Sequence, residues 1–391
     1  MEKKKILFVL NQMGAGGIAK SLSNLLFHLE KYKDEYDVDL FLLRKDGCFI
    51  KDIPNYVNVL EAKGILKLYG ASQKDTKKFG VWQFFSRFCV ACWSRLFTNK
   101  IPLALGVKQN KLNKEYDMAI SFAHTQGSRN MTAGSVEFVL NGVKAKKKFA
   151  VCHGDVEIEN LLTKGTLKDI KKLDKFFSVS RSCSEQVVRK NNKLKDISDY
   201  LYNTQRNDII LNKSISNEKV YEDEFNMVMV SRLENQKAHM RFLPIVKKLA
   251  DEGHKFKLNI IGDGILRPDI ENYIQENNMN SYVKLFGQQS NPFPFIKQAD
   301  LFVLVSYYEA APMVYNESQL IGTPIFTTKI ISAEEMVGDY GFICENNEDD
   351  IYKKLKFVLE NKNLIEEKKE KLKNYTYDND AIVKKLLNLI N

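Results

Sequence analysis

The chain has 391 residues, too many for one ordinary α/β domain and well suited to two. An apolar share of 44% excludes an extended disordered chain, and no apolar run is long enough to span a membrane. The net charge of +10 points loosely to anionic partners such as nucleotides or phospholipid surfaces, although Lys-rich solvated faces explain most of the excess.

In chain order, residues 6–10 read as a buried strand rather than a signal peptide, because the apolar run is short and no cleavage site follows. The turn Gly14-Ala15-Gly16-Gly17 leads into a helix over 18–29, and a second strand spans 38–43. Asp37-Val38-Asp39 has the D-x-D form of metal-dependent transferases, but it precedes a strand instead of following one and reads as the start of that strand. Residues 74–111 stand out. Lys74, Lys77, Lys78, Arg87, Arg95, Lys100, Lys108 and Lys111 face only Asp75, and they are interleaved with Trp82, Phe84, Phe85, Phe88, Trp93 and Phe97. Trp82, Phe85, Cys89, Cys92, Trp93 and Leu96 recur at helical spacing. Such a helix suits an anionic membrane surface, or else packs its apolar stripe in the core with cations outside. Cys89-Val-Ala-Cys92 has no second pair and no His at finger spacing, so it is not read as a metal or redox site. The six scattered cysteines fit a reducing cytoplasm.

Strands over 118–122, 148–152 and 176–180 continue the first sheet, with a helix starting near Ser182. Residues 203–224 turn polar and irregular and read as an interdomain linker. From Asn226 the alternation restarts, with strands at 227–230, 257–261, 282–286, 301–305 and 324–327 and helices between them at 238–251, 268–275, 292–297 and 312–321. A charged helix over 349–360, a Lys/Glu run over 366–373 and an amphipathic helix over 381–390 close the chain. The pattern is that of two Rossmann-like doubly wound α/β domains.

Several loops after strands carry chemistry-bearing residues. Val230-Ser231-Arg232-Leu233-Glu234-Asn235-Gln236-Lys237 holds a fork-shaped and a point-like cation near a strand end. Ile261-Gly262-Asp263-Gly264 is a glycine turn after the next strand. Glu309 and Glu317 bracket Ala310-Ala311-Pro312-Met313-Val314-Tyr315-Asn316, with Pro312 suited to a first helical position and Gly322 to the residue just past the helix. In order and approximate spacing, these motifs with Leu285-Phe286-Gly287 and Gly322-Thr323-Pro324 resemble the nucleotide-sugar half of family 4 retaining glycosyltransferases of GT-B fold.

That resemblance implies two Rossmann-like domains facing each other across a cleft, an acceptor-binding one over 1–204 and a donor-binding one over 205–375, with a helix in 376–391 packing back on the first. It implies transfer of a sugar, with retention, from a UDP- or GDP-sugar to a hydroxyl acceptor such as a lipid-linked saccharide of bacterial surface polysaccharide synthesis. No cofactor, metal or nucleic acid is expected, and the setting is cytoplasmic or peripheral at the inner membrane face. Arg232 and Lys237 fall where the family stabilises the departing diphosphate. Glu317 falls where it holds the ribose hydroxyls, and Glu309 where it contacts the transferred sugar and supports oxocarbenium character. Gly16, Gly17, Gly262, Gly264, Ala311, Pro312, Met313 and Val314 are expected to line the donor. His153 is expected to touch the donor sugar or phosphate, and His124 the acceptor side. Many family members have Gly and a bulky apolar residue where this chain has Ala310-Ala311, which bears on donor choice.

Two other readings compete. Gly14-Ala15-Gly16-Gly17-Ile18-Ala19 fits G-x-G-x-x-[GA] after a strand, the fingerprint of a dinucleotide enzyme, but Leu43 is followed by Arg44 and Lys45 instead of the acid that NAD requires. A catalytically silent accessory protein of the same fold is the other.

Overall fold

The computed structural model describes residues 2–70, 76–77, 80–124, 127, 129–131, 133–221 and 224–390. Lys74, Asp75 and Lys78 of the basic segment lie outside the described residues, as do Thr125 and Gln126 beside His124. The chain divides into two compact units, Met1–Thr204 with Asp378–Asn391, and Gln205–Tyr377.

The first unit runs β1 (Lys4–Leu10), α1 (Gly17–Leu29), β2 (Tyr36–Leu42), β3 (Asn58–Glu61), α2 (Gly64–Leu68), α3 (Val81–Leu96), α4 (Lys100–Gln109), β4 (Glu115–Ser121), α5 (Ser135–Asn141), β5 (Lys144–Cys152), α6 (Lys164–Ile170), β6 (Lys175–Ser178), α7 (Arg181–Lys190) and β7 (Ser198–Tyr200). Its strands form one parallel sheet in the order β3-β2-β1-β4-β5-β6-β7. Strands covered on both faces need near-continuous apolar runs, and Ile6 to Leu10 are buried without a break. β5 begins four residues before the expected strand, because Lys144 and Lys146 reach Glu115 at 3.5 Å and Asp117 at 2.7 Å across the ladder. Asp39 of the D-x-D is buried in β2, where Lys114 Nζ at 2.8 Å and the Tyr116 hydroxyl at 2.6 Å donate to it.

The second unit runs α8 (Asn207–Ser214), β8 (Asn226–Val230), α9 (His239–Asp251), β9 (Lys257–Ile261), α10 (Arg267–Glu276), β10 (Val283–Gly287), α11 (Phe293–Lys297), β11 (Leu301–Leu304), α12 (Met313–Ile321), β12 (Ile325–Thr328), α13 (Ala333–Met336), β13 (Gly341–Cys344), α14 (Glu348–Glu360) and α15 (Asn363–Leu372). Its parallel sheet has the order β10-β9-β8-β11-β12-β13. A last helix, α16 (Asn379–Leu387), returns to the first unit and packs on α1, with Lys31 to Asp380 at 2.7 Å and Lys385 to Asp199 at 2.8 Å.

Three expectations change, and on α3 one of the two open readings, core packing, gives way. Residues 203–224 are not simply a linker: α8 lies there, and Ile210 is buried in a core cluster with Phe293, Ile296 and Tyr315. The Lys/Glu run belongs to α15, whose Ile365 and Leu372 face inward while its charges stay outside. Pro312 is the extended residue that precedes α12 rather than its first turn, with Gly322 closing the helix at φ 90°. On α3 the apolar stripe points away from the core. Trp82 is 83% and Phe85 57% exposed, with Phe88, Trp93 and Leu96 also outside, while Arg87 and Ser94 turn inward.

Truncating Ile210 separates a helix from a linker. Ile210→Ala is expected to destabilise the chain by about 2–4 kcal/mol in urea unfolding, the cost of a buried aliphatic truncation, whereas a solvated linker residue would cost almost nothing.

Candidate functional site

In both sheets the strand order reverses at one place, between β1 and β4 in the first and between β8 and β11 in the second. Open α/β sheets bind ligands just past the carboxyl ends of the strands at such a reversal, where successive connections leave to opposite faces. The loops after β8 and β11 carry Arg232, Lys237 and Glu309, and those after β1, β4 and β5 carry Gly16, Gly17, His124 and His153.

In the second unit, Lys237 and Glu309 form a close ion pair with side chains only 15% and 12% exposed. Three contacts hold the pair. Ser306 Oγ donates to the same Glu309 oxygen at 3.0 Å, Gln236 Nε2 donates to the Tyr308 carbonyl at 3.0 Å, and the Tyr307 N–H donates to the Gln236 carbonyl at 2.9 Å. Among the described residues nothing donates to the other Glu309 oxygen, and Lys237 gives only one of its three N–H groups to the protein. The site thus offers one carboxylate acceptor beside two ammonium donors.

Behind the loop, Arg241 donates to the Val305 carbonyl and to Asn346 Oδ1 at 2.8 Å, lies 4.2 Å from the Tyr307 ring, and so fixes where the chain leaves β11. Asn346 Nδ2 completes the clamp on the Tyr307 carbonyl at 2.7 Å. Glu317, one turn into α12, is buried at 4% exposure. Met313 and Pro312 are buried at the helix start, with Ala311 and Val314 half-buried beside them. Arg232 stands apart from Lys237, mostly exposed and paired with Glu234 at 2.7 Å.

Gly262 and Gly264 act through packing. A Cβ on Gly262, at φ 142°, would lie 1.9 Å from the Ser231 carbonyl oxygen, and one on Gly264 2.4 Å from that of Leu233. The loop after β9 therefore presses on the loop that bears Arg232, joined by Leu233 N–H to Asp263 O at 3.0 Å. His239 is buried at the start of α9 with Nε2 3.1 Å from Ser231 Oγ; burial, then the Lys237 charge, pushes its pKa down to about 4.

In the first unit, Gly16 precedes α1 in extended conformation, Gly17 begins the helix, and the space beside Gly16 is open, so the helix end is accessible to an anion. On the β2 side the turn is covered. Met13 exchanges backbone bonds with Asp46 at 2.9 Å and Phe49 at 3.0 Å, and a Cβ on Gly47 would lie 2.1 Å from the Met13 carbonyl oxygen. Arg44 is buried where a dinucleotide enzyme needs its ribose-binding acid, which disfavours that reading. His124 and His153 are brought together: the His153 N–H points at His124 Nδ1 at 3.4 Å. Burial pushes the pKa of His124 down to about 4 and that of His153 to about 3, the neighbouring His124 adding to the latter. Both are therefore neutral at pH 7 and carry no charge to pair with a phosphate.

The fold has counterparts among solved structures. Over 99% of both chains, the structure superposes with a TM-score of 0.67 and 15% identity on Anabaena HepE, solved with UDP and glucose. The likeness establishes the α/β GT-B fold. Residues 212–379, most of the second unit, match the family described as glycosyl transferases group 1. Among curated proteins, an uncharacterized glycosyltransferase of Methanocaldococcus jannaschii is 30% identical over 28% of this chain and 27% of its own. The N-acetylgalactosamine-N,N'-diacetylbacillosaminyl-diphospho-undecaprenol 4-alpha-N-acetylgalactosaminyltransferase of Campylobacter jejuni is 30% identical over 39% of this chain and 41% of its own. The chain thus matches well under half the length of these curated relatives.

Sequence reasoning passed over Ser306, Gln236, Arg241 and Asn346. The first two sit beside motif residues, but only the register of the two loops reveals their partners.

A pH experiment tests the buried His239. Its folded pKa lies below the ordinary value of 6.5, so the unfolded chain binds more protons between about pH 4 and 6.5. The stability it contributes is complete above pH 6.5 and drains away as the pH falls toward 4. Between pH 7 and 5, wild type is expected to lose about 2 kcal/mol more in urea unfolding than His239→Gln, which keeps a hydrogen-bonding group toward Ser231 but does not titrate. Parallel losses in the two proteins would refute the assignment.

Proposed function

We propose that this protein is a retaining glycosyltransferase that moves a sugar from a nucleoside diphosphate donor to a hydroxyl acceptor. The observation that carries the reading is the Lys237–Glu309 pair at the sheet reversal, inside the segment matched by glycosyl transferases group 1. As the bond between the anomeric carbon and the diphosphate oxygen breaks, negative charge grows on the leaving group. The two remaining Lys237 N–H groups meet that charge, and Arg232, exposed on the preceding loop, supplies a second cation. The unengaged Glu309 oxygen accepts from sugar hydroxyls and stabilises the positive charge spreading over the ring. Glu317 holds the ribose. The acceptor oxygen bonds the anomeric carbon on the face the diphosphate leaves, and its proton passes to the departing phosphate oxygen. These cations make a metal ion unnecessary, and His153 and His124, neutral, position hydroxyls. HepE, crystallised with UDP and glucose, supports a UDP-sugar as the first donor to try.

Purified protein with a panel of UDP- and GDP-sugars is expected to release nucleoside diphosphate from one of them, more so with a membrane lipid extract, and equally in EDTA. Glu309→Ala should lower turnover by about a hundredfold or more with nucleotide binding largely kept, whereas Arg232→Ala should weaken both. Wild-type turnover in Glu309→Ala would sink the site. No release from any donor, and no UDP or GDP binding by calorimetry, would favour the silent accessory protein.

A second reading concerns place. The apolar face of α3 is exposed, with Arg95 beside it and Lys100, Lys108 and Lys111 following, an arrangement suited to the anionic cytoplasmic leaflet of the inner membrane. Among the described residues no helix is long and apolar enough to cross a membrane, so attachment would be peripheral. The Campylobacter jejuni relative is named for a diphospho-undecaprenol-linked acceptor, which supports an acceptor held in that membrane. Both tryptophans of the chain, Trp82 and Trp93, lie on α3. Their emission is expected to shift to shorter wavelength on adding phosphatidylglycerol vesicles. Trp82→Ser with Phe85→Ser should weaken vesicle binding by about tenfold or more, the loss expected on removing two inserted aromatics. Unchanged binding would return α3 to a merely exposed helix.

A further inference from the structure

The first unit contains a cavity of about 640 Å³, of whose lining only His124 enters the steps above. Its apolar wall is built by Leu103 and Val107 from α4, Val136 from α5, and Ile170 and Leu173 at the end of α6, over Phe176 of β6, with Asn99, Asn141 and Thr166 interspersed. Its volume lies in the range of sites for organic molecules of moderate size. Lysines ring it. Lys100, Lys108 and Lys111 line it from α4 and just beyond, and Lys168 from α6. Among the described residues no carboxylate pairs with any of these four. The two carboxylates that do reach the cavity are already engaged, Asp169 with Lys172 at 2.7 Å and Glu137 with the Gly134 N–H at 2.8 Å.

We propose that this cavity takes the hydrocarbon chain of a phosphorylated lipid, with its phosphate on the lysine rim. A nucleotide fits the chemistry poorly, because a continuous apolar wall faces the interior and neither carboxylate is available to a ribose. Inorganic phosphate would satisfy the rim but leave the apolar interior wet. A phosphorylated lipid satisfies both at once, each buried methylene adding to the binding while the lysines discriminate the anionic head. His124 also lines the cavity and is joined to His153 after β5, so the lipid site adjoins the loops at the sheet reversal. The proposal rests on the transferase reading for its purpose, since it makes the occupant the lipid part of the acceptor, but its test does not need turnover.

Dodecyl phosphate, kept below its micelle concentration, is the probe, with dodecanol and inorganic phosphate beside it, followed by calorimetry on the full chain. Saturable binding of dodecyl phosphate is expected, with much weaker binding of the other two. Lys108→Glu with Lys111→Glu, both at exposed positions, should weaken it by roughly tenfold or more. Ala104→Trp, at an exposed position on the cavity wall, should abolish it by filling the mouth, with the circular dichroism spectrum unchanged. Non-saturable uptake, equal binding of inorganic phosphate, or binding that survives both variants would overturn the site. Loss in Trp82→Ser with Phe85→Ser but not in Ala104→Trp would place the lipid on α3 and overturn it as well. The donor panel on the same preparations separates the two claims. Dodecyl phosphate binding without turnover would remove the transferase reading and leave the lipid site, while turnover without saturable binding would do the reverse.

Discussion

The second unit depends on one polar contact made across a topological seam. Its sheet reverses between β8 and β11, so the loops that follow leave toward opposite faces, with the Tyr307 N–H to Gln236 carbonyl bond as their backbone link. Lys237 and Glu309 tie them, reinforced by Gln236, Ser306 and the backbone of Tyr307. A partly buried ion pair is costly to assemble and stays put only when hydrogen bonds satisfy the rest of each group. Here the supporting bonds are short and local, and Arg241 holds the strand end from behind. The same contact that closes the seam therefore presents a carboxylate and an ammonium in fixed relation.

The two units treat charge differently. In the second, cations stand at the reversal, one half-buried and fixed and one exposed. In the first, the groups at the reversal are imidazoles that burial keeps neutral, and the cations are displaced to the rim formed by α4 and α6. A neutral imidazole does not attract an anion as a fixed cation does, so of the two sheet reversals it is the second unit's that carries fixed positive charge.

Much of the fold was legible because parallel strands covered on both faces read as unbroken apolar runs, as in Leu7-Phe8-Val9 and Leu301-Phe302-Val303. The strands that escaped are β3, β7 and β13, all short. Asn58-Val59-Leu60-Glu61 and Ser198-Asp199-Tyr200 sit near or at sheet edges with half-buried residues, where the periodic signal fades. The α8 segment looked like a linker because its polarity masked Ile210, which is buried in the core. For α3 the periodicity was plain but its meaning was not, since an apolar stripe reads alike whether it faces a core or a bilayer; only the inward Arg87 and Ser94 reveal the direction. At the site, the motif positions of Lys237 and Glu309 were readable, 72 residues apart, but their direct pairing was not, because it depends on two loops meeting in space. The separation of Arg232 from that pair was equally invisible, as both cations sit in one short motif.

The return of α16 onto α1 has a consequence for the order in which the protein is made. Synthesis runs from the amino end, and domains ordinarily fold as they emerge. The sheet of the first unit is complete once Tyr200 has appeared, yet α1 waits for α16, whose Ile382, Val383 and Leu386 are buried, until the whole second unit has been translated. At the usual pace of synthesis that interval lasts on the order of ten seconds or more. The unit that begins first is finished last, and throughout that interval an apolar helix face stands open to chaperones.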